Sequence, residues 1–213
     1  MMIEKNIKNI KKNICGAQLI VVTKKQNVDD IKKVYQAGEK NFGENRVIDL
    51  IRKKDLLASD IKWHMIGHLQ TNKVKLITPF IHLIQSVDST KLLNKINDCG
   101  KQDNRKINCL IQIKIAQEET KYGFSEKESL VLLKSNYENK YPYVNIKGVM
   151  GMASLTHNTE QIKSEFKHLK QIYDSLKSST NKILSMGMSN DYKIAHEMGS
   201  NMIRIGSSIF KKN

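Results

Sequence analysis

The amino-acid sequence predicts an α/β protein, a single-domain (β/α)8 TIM barrel with an extra N-terminal helix. Eight short apolar segments alternate with segments whose apolar residues recur at helical spacing, which indicates parallel strands joined by helices. The chain has 213 residues, which is near the lower size limit for this barrel. A doubly wound open sheet is the alternative, although no G-x-G-x-x-G turn follows the first strand. We therefore expect residues 1–213 to form one domain.

The first half of the chain supplies an N-terminal helix and four strands. Ile3, Ile7, Ile10 and Ile14 are spaced by four, three and four, which predicts an amphipathic helix within residues 1–16. β-Branched apolar runs predict strands one, three and four at 18–24, 61–67 and 81–87, and strand two is short and turns into a helix at 41–45. Helical patterns separate them, and the pattern that begins near residue 74 is broken by Pro79.

The second half repeats the alternation. Apolar runs predict strands at 107–115, 144–152, 183–187 and 202–206. Ser125 and Glu128 have capping-box spacing before an apolar helical segment. A longer helix with one apolar face precedes the seventh strand, and Ser189, Asn190 and Asp191 are good N-caps for the helix after it. No long linker, repeat or low-complexity segment interrupts this order.

Composition limits the function classes. The formal net charge is +15, which raises the question of nucleic acid, but the excess is almost all lysine spread along the whole chain. A base-composition bias in the coding sequence would give the same pattern, so we expect no nucleic-acid function. The chain has no apolar run of membrane-spanning length and no secretory signal, and its three cysteines lack C-x-x-C spacing. We therefore expect a cytoplasmic protein without a zinc site and without a membrane partner.

Lys24 ends the first predicted strand, at the edge of the sheet where α/β folds bind ligands. A lysine there can act as a nucleophile toward carbonyl compounds. In a lysine-rich chain it could equally be an ordinary surface residue. Lys25 is the competitor by adjacency, but its side chain should point to the opposite face of an extended strand.

Two glycine turns near the end of the chain suggest a phosphate site. Strand seven runs into Gly187-Met188-Ser189, and strand eight runs into Gly206-Ser207. Each turn leads into a helical start with hydroxyl residues, and helix N-termini offer N–H groups to anions. Ordinary capped turns are the alternative. A phosphate anchor opposite a nucleophilic lysine suggests pyridoxal 5′-phosphate (PLP), whose aldehyde condenses with an amine.

Five motifs in this order resemble the pyridoxal phosphate homeostasis protein family. They are Thr23-Lys24, Asn-Phe-Gly-Glu-Asn at 41–45, Trp-His-Met-Ile-Gly-His-Leu-Gln-Thr-Asn-Lys at 63–73, Ser-Met-Gly-Met-Ser at 185–189 and Met-Ile-Arg-Ile-Gly at 202–206. The resemblance runs from about Leu19 to Phe210. It implies a barrel like the N-terminal domain of alanine racemase, with PLP as the cofactor.

The resemblance also implies a set of PLP-binding residues. Lys24 would hold PLP as a Schiff base, and Arg204 would face the pyridine nitrogen. Contacts to the phosphate would come from Ser189 and Ser207, with the N–H groups of Met188, Gly206 and Ser207. Asn45 and His64 would lie near the ring, although Asn45 could simply cap a helix and His64 could be a satisfied core histidine. Lys121, in the loop after strand five, is a candidate second acceptor for the aldehyde.

The function that the resemblance implies is intracellular PLP (vitamin B6) homeostasis, with the chain as a carrier or regulator rather than an enzyme. The alternative is a PLP-dependent amino-acid racemase or a related enzyme. A racemase would need an acid/base that alanine racemase takes from a second domain, and we expect no second domain here. Tyr122 could substitute for it. The expected partners are PLP and apo PLP-dependent enzymes as recipients, and we expect a monomer. Lys25-Gln26-Asn27 replaces a proline-containing turn of the family, so the shape of that loop is open.

Overall fold

Eight parallel strands close into a barrel in which each strand pairs with its neighbours in the chain and β8 pairs with β1. We describe residues 2–118, 121–176 and 182–211 of a computed structural model. The strands are β1 Gln18–Val22, β2 Asn41–Glu44, β3 Lys62–Met65, β4 Leu83–Val87, β5 Ile107–Gln112, β6 Val144–Met150, β7 Ile183–Ser185 and β8 Met202–Ile205. This confirms the predicted barrel.

Helices surround the barrel and connect its strands. They are α1 Met2–Asn13, α2 Val28–Gln36, α3 Val47–Leu56, α4 Thr90–Gln102, α5 Glu126–Lys134, α6 Tyr137–Lys140, α7 Thr159–Ser175, α8 Tyr192–Glu197 and α9 Ser207–Phe210, with a 3₁₀ helix at Thr71–Leu76. The predicted capping box between Ser125 and Glu128 is present at the start of α5. The α-helix predicted near residue 74 is instead the 3₁₀ helix, which ends before Pro79.

Side chains alternate between the barrel interior and the layer between strands and helices. Leu19 and Val21 belong to the large outer core, whereas Ile20 belongs to a small separate cluster. The other buried members of that cluster come from four further strands: Leu83, Leu110, Met150 and Met202. The interior is thus packed with side chains, and it turns polar toward the carboxyl ends of the strands.

The N-terminal helix α1 docks on the barrel through its isoleucine stripe. Ile7, Ile10 and Ile14 are buried in the outer core, and Asn6 donates a hydrogen bond to the carbonyl of Ile209 in α9 (3.0 Å). The amphipathic helix predicted within residues 1–16 is therefore confirmed, and its isoleucine stripe packs on the body of the protein. Within the described residues, no helix is long and apolar enough to cross a membrane.

Candidate functional site at the barrel mouth

Lys24 lies at the carboxyl end of the barrel, in a turn that directly follows β1. The parallel ladder extends one residue beyond the strand, because the Thr23 N–H donates to the carbonyl of Gly43 (3.0 Å). The Gln26 N–H then donates to the carbonyl of Thr23 (3.0 Å), which makes Lys24 and Lys25 the central residues of the turn. Both lysine side chains are exposed. Lys24 therefore has an accessible amine at the mouth of the barrel.

The alternation along β1 favours Lys24 over Lys25 as the residue on the interior side. Ile20 faces the interior, so Lys24 continues the same parity, whereas Thr23 is buried on the outer side against Glu44. Lys25 has φ 63°, a left-handed backbone conformation that residues other than glycine rarely adopt. The backbone thus reverses direction immediately after Lys24.

The turns after β7 and β8 meet at the same mouth. The Arg204 N–H donates to the carbonyl of Gly187 (3.1 Å), and the Gly206 N–H donates to Ser189 Oγ at 3.4 Å. Gly206 has no room for a side chain, because a Cβ there would lie 2.9 Å from the carbonyl oxygen of Val22. Ser207 is exposed and Ser189 is half-buried. The structure therefore brings the two predicted hydroxyls to neighbouring turns beside the end of β1.

Like the Gly206 amide, the amide of Met188, another predicted phosphate contact, already has a partner. Its N–H donates to Asp191 Oδ1 at 2.6 Å, so in this geometry it does not point to a ligand. Asp191 is buried, which raises the pKa of its carboxyl, and the nearby Arg204 guanidinium acts in the opposite direction. A phosphate contact from Met188 remains a prediction that would require this amide to leave Asp191.

Arg204 lies inside the barrel on β8 and begins a chain of hydrogen bonds that crosses the interior. Its Nη1 donates to Ser185 Oγ (2.5 Å), and its Nη2 donates to the carbonyl of Gly151 (3.1 Å). Ser185 donates to Gln85 Oε1 (2.7 Å), and Gln85 Nε2 lies 3.1 Å from His64 Nδ1. Burial lowers the pKa of Arg204 to about 10, so the guanidinium stays charged at neutral pH.

His64 is fully buried, and both of its ring nitrogens have partners within the barrel. Nδ1 is next to Gln85, and Nε2 lies 3.4 Å from Asn41 Oδ1. Burial, helped by His82 and Lys62, lowers the pKa of His64 to about 3, so the ring is neutral. This is the geometry of a satisfied core histidine. A direct contact between His64 and a cofactor remains a prediction that this geometry does not favour.

Asn45 follows β2 at the mouth, and it packs tightly against the turn after β3. A Cβ on Gly67 would lie 2.4 Å from the carbonyl oxygen of Asn45, so only glycine fits there. The N-cap of α3 is Arg46, which makes no side-chain capping bond, so Asn45 is not the cap of this helix. The half-buried Asn45 side chain is thus placed at the mouth, and its contact with a cofactor remains a prediction.

Sequence reasoning missed an aromatic contact on the rim. The ring of Tyr122 stacks on the ring of His68 with centroids 3.9 Å apart, and His68 Nδ1 lies 2.7 Å from Asp88 Oδ2. Despite this stacking, Tyr122 is 56% exposed. Lys121, in the same loop, is half-buried. The loops after β3 and β5 therefore touch at the mouth, which spacing along the sequence could not reveal.

The residues at the mouth fit a phosphorylated aldehyde with an aromatic nitrogen. Lys24 offers an exposed primary amine, Ser189 and Ser207 offer hydroxyls on neighbouring turns, and Arg204 offers a buried cation below them. Gly206 lies between these groups and packs against β1, because a Cβ there would lie 2.9 Å from the carbonyl oxygen of Val22. This combination of donors matches the chemistry of PLP, in which an aldehyde, a phosphate and a pyridine nitrogen occupy different edges of one small ring.

The fold and this mouth define a barrel of the alanine racemase type. Residues 2–213 match the family model described as "Alanine racemase, N-terminal domain". An alanine racemase from Bartonella henselae with covalently bound pyridoxal phosphate has the same fold, with a TM-score of 0.77 over 98% of this chain and 58% of that chain at 14% identity.

Two relatives by sequence and one solved structure show the family within this class. The pyridoxal phosphate homeostasis protein of Pasteurella multocida (strain Pm70) is 32% identical over 99% of this chain and 97% of its own length. That of Haemophilus influenzae is 33% identical over 98% of this chain and 90% of its own length. The PipY protein of Synechococcus elongatus PCC7942, solved with PLP bound, superimposes with a TM-score of 0.87 at 27% identity, covering 98% of this chain and 100% of that chain. The chain therefore belongs to the pyridoxal phosphate homeostasis protein family.

Proposed function

We propose that this chain binds PLP covalently through Lys24 and acts in intracellular PLP homeostasis. The observation that carries the proposal is the juxtaposition of an exposed Lys24 with the hydroxyl-bearing turns after β7 and β8 at one barrel mouth. The Lys24 amine attacks the aldehyde carbon, a C=N bond forms, and the aldehyde oxygen leaves as water. The relatives that carry the homeostasis name, and the neighbour solved with PLP bound, support the same ligand.

We assign the remaining contacts between the chain and PLP from the charge of each residue and its position at the barrel mouth. Ser189 and Ser207 donate to the phosphate, with help from the N–H groups of Gly206 and Ser207. Arg204 faces the pyridine nitrogen from the interior. Asn45, and by the resemblance His64 and Met188, complete the predicted contacts. Lys121 is a candidate second acceptor.

A carrier role is favoured over amino-acid turnover by the charge of Arg204. PLP enzymes use a protonated ring nitrogen as an electron sink. The pKa of Arg204, lowered by burial to about 10, keeps this cation charged at neutral pH, so the nitrogen beside it stays unprotonated. A pyridine ring with an unprotonated nitrogen is a weaker electron sink. We place the carrier in the cytoplasm as a monomer, with apo PLP-dependent enzymes as recipients.

The direct test is covalent trapping. The purified chain is mixed with PLP, the visible absorbance of the C=N bond is recorded, and borohydride is added before peptide mapping. We expect one modified peptide, carrying the label on Lys24. A label that is absent, or that is spread evenly over the surface lysines, would contradict the proposal.

An amino-acid racemase is the second candidate, and Tyr122 is the observation that keeps it open. Stacked on His68 at the mouth, this tyrosine could serve as an acid/base. The loaded protein is incubated with L-amino acids in deuterated water, and α-proton exchange is followed. Exchange on the order of one per second or faster, lost in Lys24→Ala, would favour an enzyme.

A further inference from the structure

Lys53 and Glu44 form an ion pair that is completely buried behind the turn of Lys24. Lys53 Nζ lies 2.6 Å from Glu44 Oε1, and the side chains are 2% and 0% exposed. The other carboxylate oxygen of Glu44 is buried without a hydrogen-bond partner among the described residues. Burying two charges is costly, and an apolar pair of similar volume usually serves packing as well or better. We therefore expect this ion pair to have a role other than stabilising the fold.

Every polar atom of Thr23 has a hydrogen-bond partner, either in the Lys53–Glu44 pair or in the neighbouring strand β2. Lys53 Nζ donates to the Thr23 carbonyl (2.8 Å), and Thr23 Oγ1 donates to Glu44 Oε1 (2.5 Å). The Thr23 N–H donates to the carbonyl of Gly43 in the neighbouring strand. Thr23 immediately precedes Lys24, so the backbone that leads into the lysine is fixed at three points.

The turn that follows needs such support. Its first carbonyl is that of Thr23, which accepts from the Gln26 N–H (3.0 Å) as well as from Lys53. Its third residue, Lys25, is held at φ 63°. A residue other than glycine persists in this region when the surrounding structure determines its conformation. Lys53 and Glu44 supply that constraint from the outer side of the barrel wall.

We propose that Lys53 and Glu44 are positioning residues that hold Thr23 so that the Lys24 amine is presented to the aldehyde of PLP. The inference rests on the proposed function of Lys24. Because the pair acts from outside the barrel, it affects formation of the C=N bond and leaves the phosphate contacts of the β7 and β8 turns unchanged.

The test compares two ligands that differ only at the reacting carbon. PLP carries an aldehyde there, whereas pyridoxine 5′-phosphate carries a hydroxymethyl group and cannot react with an amine. The paired variant Lys53→Met/Glu44→Gln removes both charges without leaving one unpaired. We expect its affinity for PLP to fall about tenfold, with slower formation of the visible band, because a hydrogen bond to a charged group is lost. Its affinity for pyridoxine 5′-phosphate should stay within about twofold of the parent.

The chain offers a matched control in Lys163 and Glu160, an exposed pair at 2.9 Å on α7. Lys163→Met/Glu160→Gln makes the same chemical changes and should leave binding of both ligands unchanged. If the Lys53/Glu44 variant does not fold, Thr23→Val serves instead, because it removes the hydroxyl bonds to Glu44 and to the carbonyl of Gly43 and leaves the ion pair in place. It should weaken PLP binding by less than about tenfold and leave binding of pyridoxine 5′-phosphate unchanged.

The outcomes separate this inference from the proposed function. A parent chain that forms no bond at Lys24 contradicts the proposed function, and this inference falls with it. A parent that forms the bond, together with variants that bind PLP as tightly and as fast as the parent, overturns the inference alone. An equal loss of affinity for PLP and for pyridoxine 5′-phosphate also overturns it, since Lys53 and Glu44 would then have only a structural role.

Discussion

Ser185 donates a hydrogen bond of 2.7 Å to the side chain of Gln85, 100 residues away in the sequence. Arg204 can only donate, and it donates to the Ser185 hydroxyl oxygen, while the Ser185 hydroxyl hydrogen is directed to Gln85 Oε1. Gln85 thus presents its oxygen to Ser185 and its nitrogen to His64. His64 Nδ1 is left as an acceptor, so its proton is on Nε2. One cation is thus connected through hydrogen bonds to three further side chains across the barrel.

Gln85→Leu should destabilise the protein by at least about 2 kcal/mol, because it leaves Ser185 and His64 buried without their partner. Urea unfolding measures the change. Gln171 is an exposed glutamine on α7, and Gln171→Leu should change the free energy of unfolding by no more than about 0.5 kcal/mol. Similar effects of the two substitutions would mean that the chain of hydrogen bonds contributes nothing to stability.

The buried His64 should make stability depend on pH in the mildly acidic range. Its pKa falls from 6.5 to about 3 on folding, so the unfolded chain binds a proton that the folded chain does not. Stability from this residue is therefore complete above pH 6.5 and is lost as pH falls toward 3. Between pH 7 and pH 5 the loss should be about 2 kcal/mol.

The control for this pH effect is His64→Asn, which keeps an acceptor near the position of Nδ1 and cannot titrate. Free energies of unfolding at pH 7 and pH 5 are compared for the parent and the variant. The variant should lose about 2 kcal/mol less than the parent over this interval. Parallel pH profiles would show that His64 titrates normally in the folded state.

The two adjacent lysines of the turn should differ sharply in their effect on PLP. Lys24→Ala should abolish the visible absorbance of the C=N bond, because only Lys24 continues the interior parity of β1. Lys25→Ala should retain it. Absorbance spectra after addition of PLP distinguish the two. If Lys25→Ala loses the band and Lys24→Ala keeps it, the assignment is wrong by one residue.

The serines of the β7 and β8 turns should matter for the phosphate and not for the ring. Ser189→Ala/Ser207→Ala should weaken binding of PLP at least about tenfold and binding of pyridoxal much less, since hydrogen bonds to a charged group are lost. Titration calorimetry with both ligands measures this. Ser135→Ala, an exposed serine at the end of α5, is the control. An equal loss for PLP and pyridoxal would place the phosphate elsewhere.

Periodicity along the sequence predicted the barrel well because each strand and helix leaves a local apolar pattern. The ends of strands were less predictable. The strand expected at 18–24 ends at Val22, because the chain turns as soon as the ladder with β2 is complete at Thr23. The helix expected near residue 74 is a single 3₁₀ segment, because Pro79 cannot continue a helix and leaves it little length.

Polar contacts between distant strands could not be predicted from the sequence. Lys53 lies between Arg52 and Lys54 in a lysine-rich chain, so it resembles a solvent-facing residue, and only the fold places it against Glu44. Gln85 lies in an apolar strand, and its partners are in β3 and β7. The motif resemblance named Lys24, Ser189, Ser207 and Arg204, yet it could not show that the Met188 amide is bound to Asp191.

The pairing of β1 with β8 has a consequence for synthesis of the protein. Ile20 is in register with Arg204, so the first and last strands stand side by side. A chain emerging from the ribosome has Lys24 from the start but lacks Arg204 and Ser207 until the last strand is made. On the proposed assignment, a PLP molecule that meets the nascent chain finds the Lys24 amine without the turns that would hold its phosphate. Retention of the cofactor would therefore report that the barrel has closed.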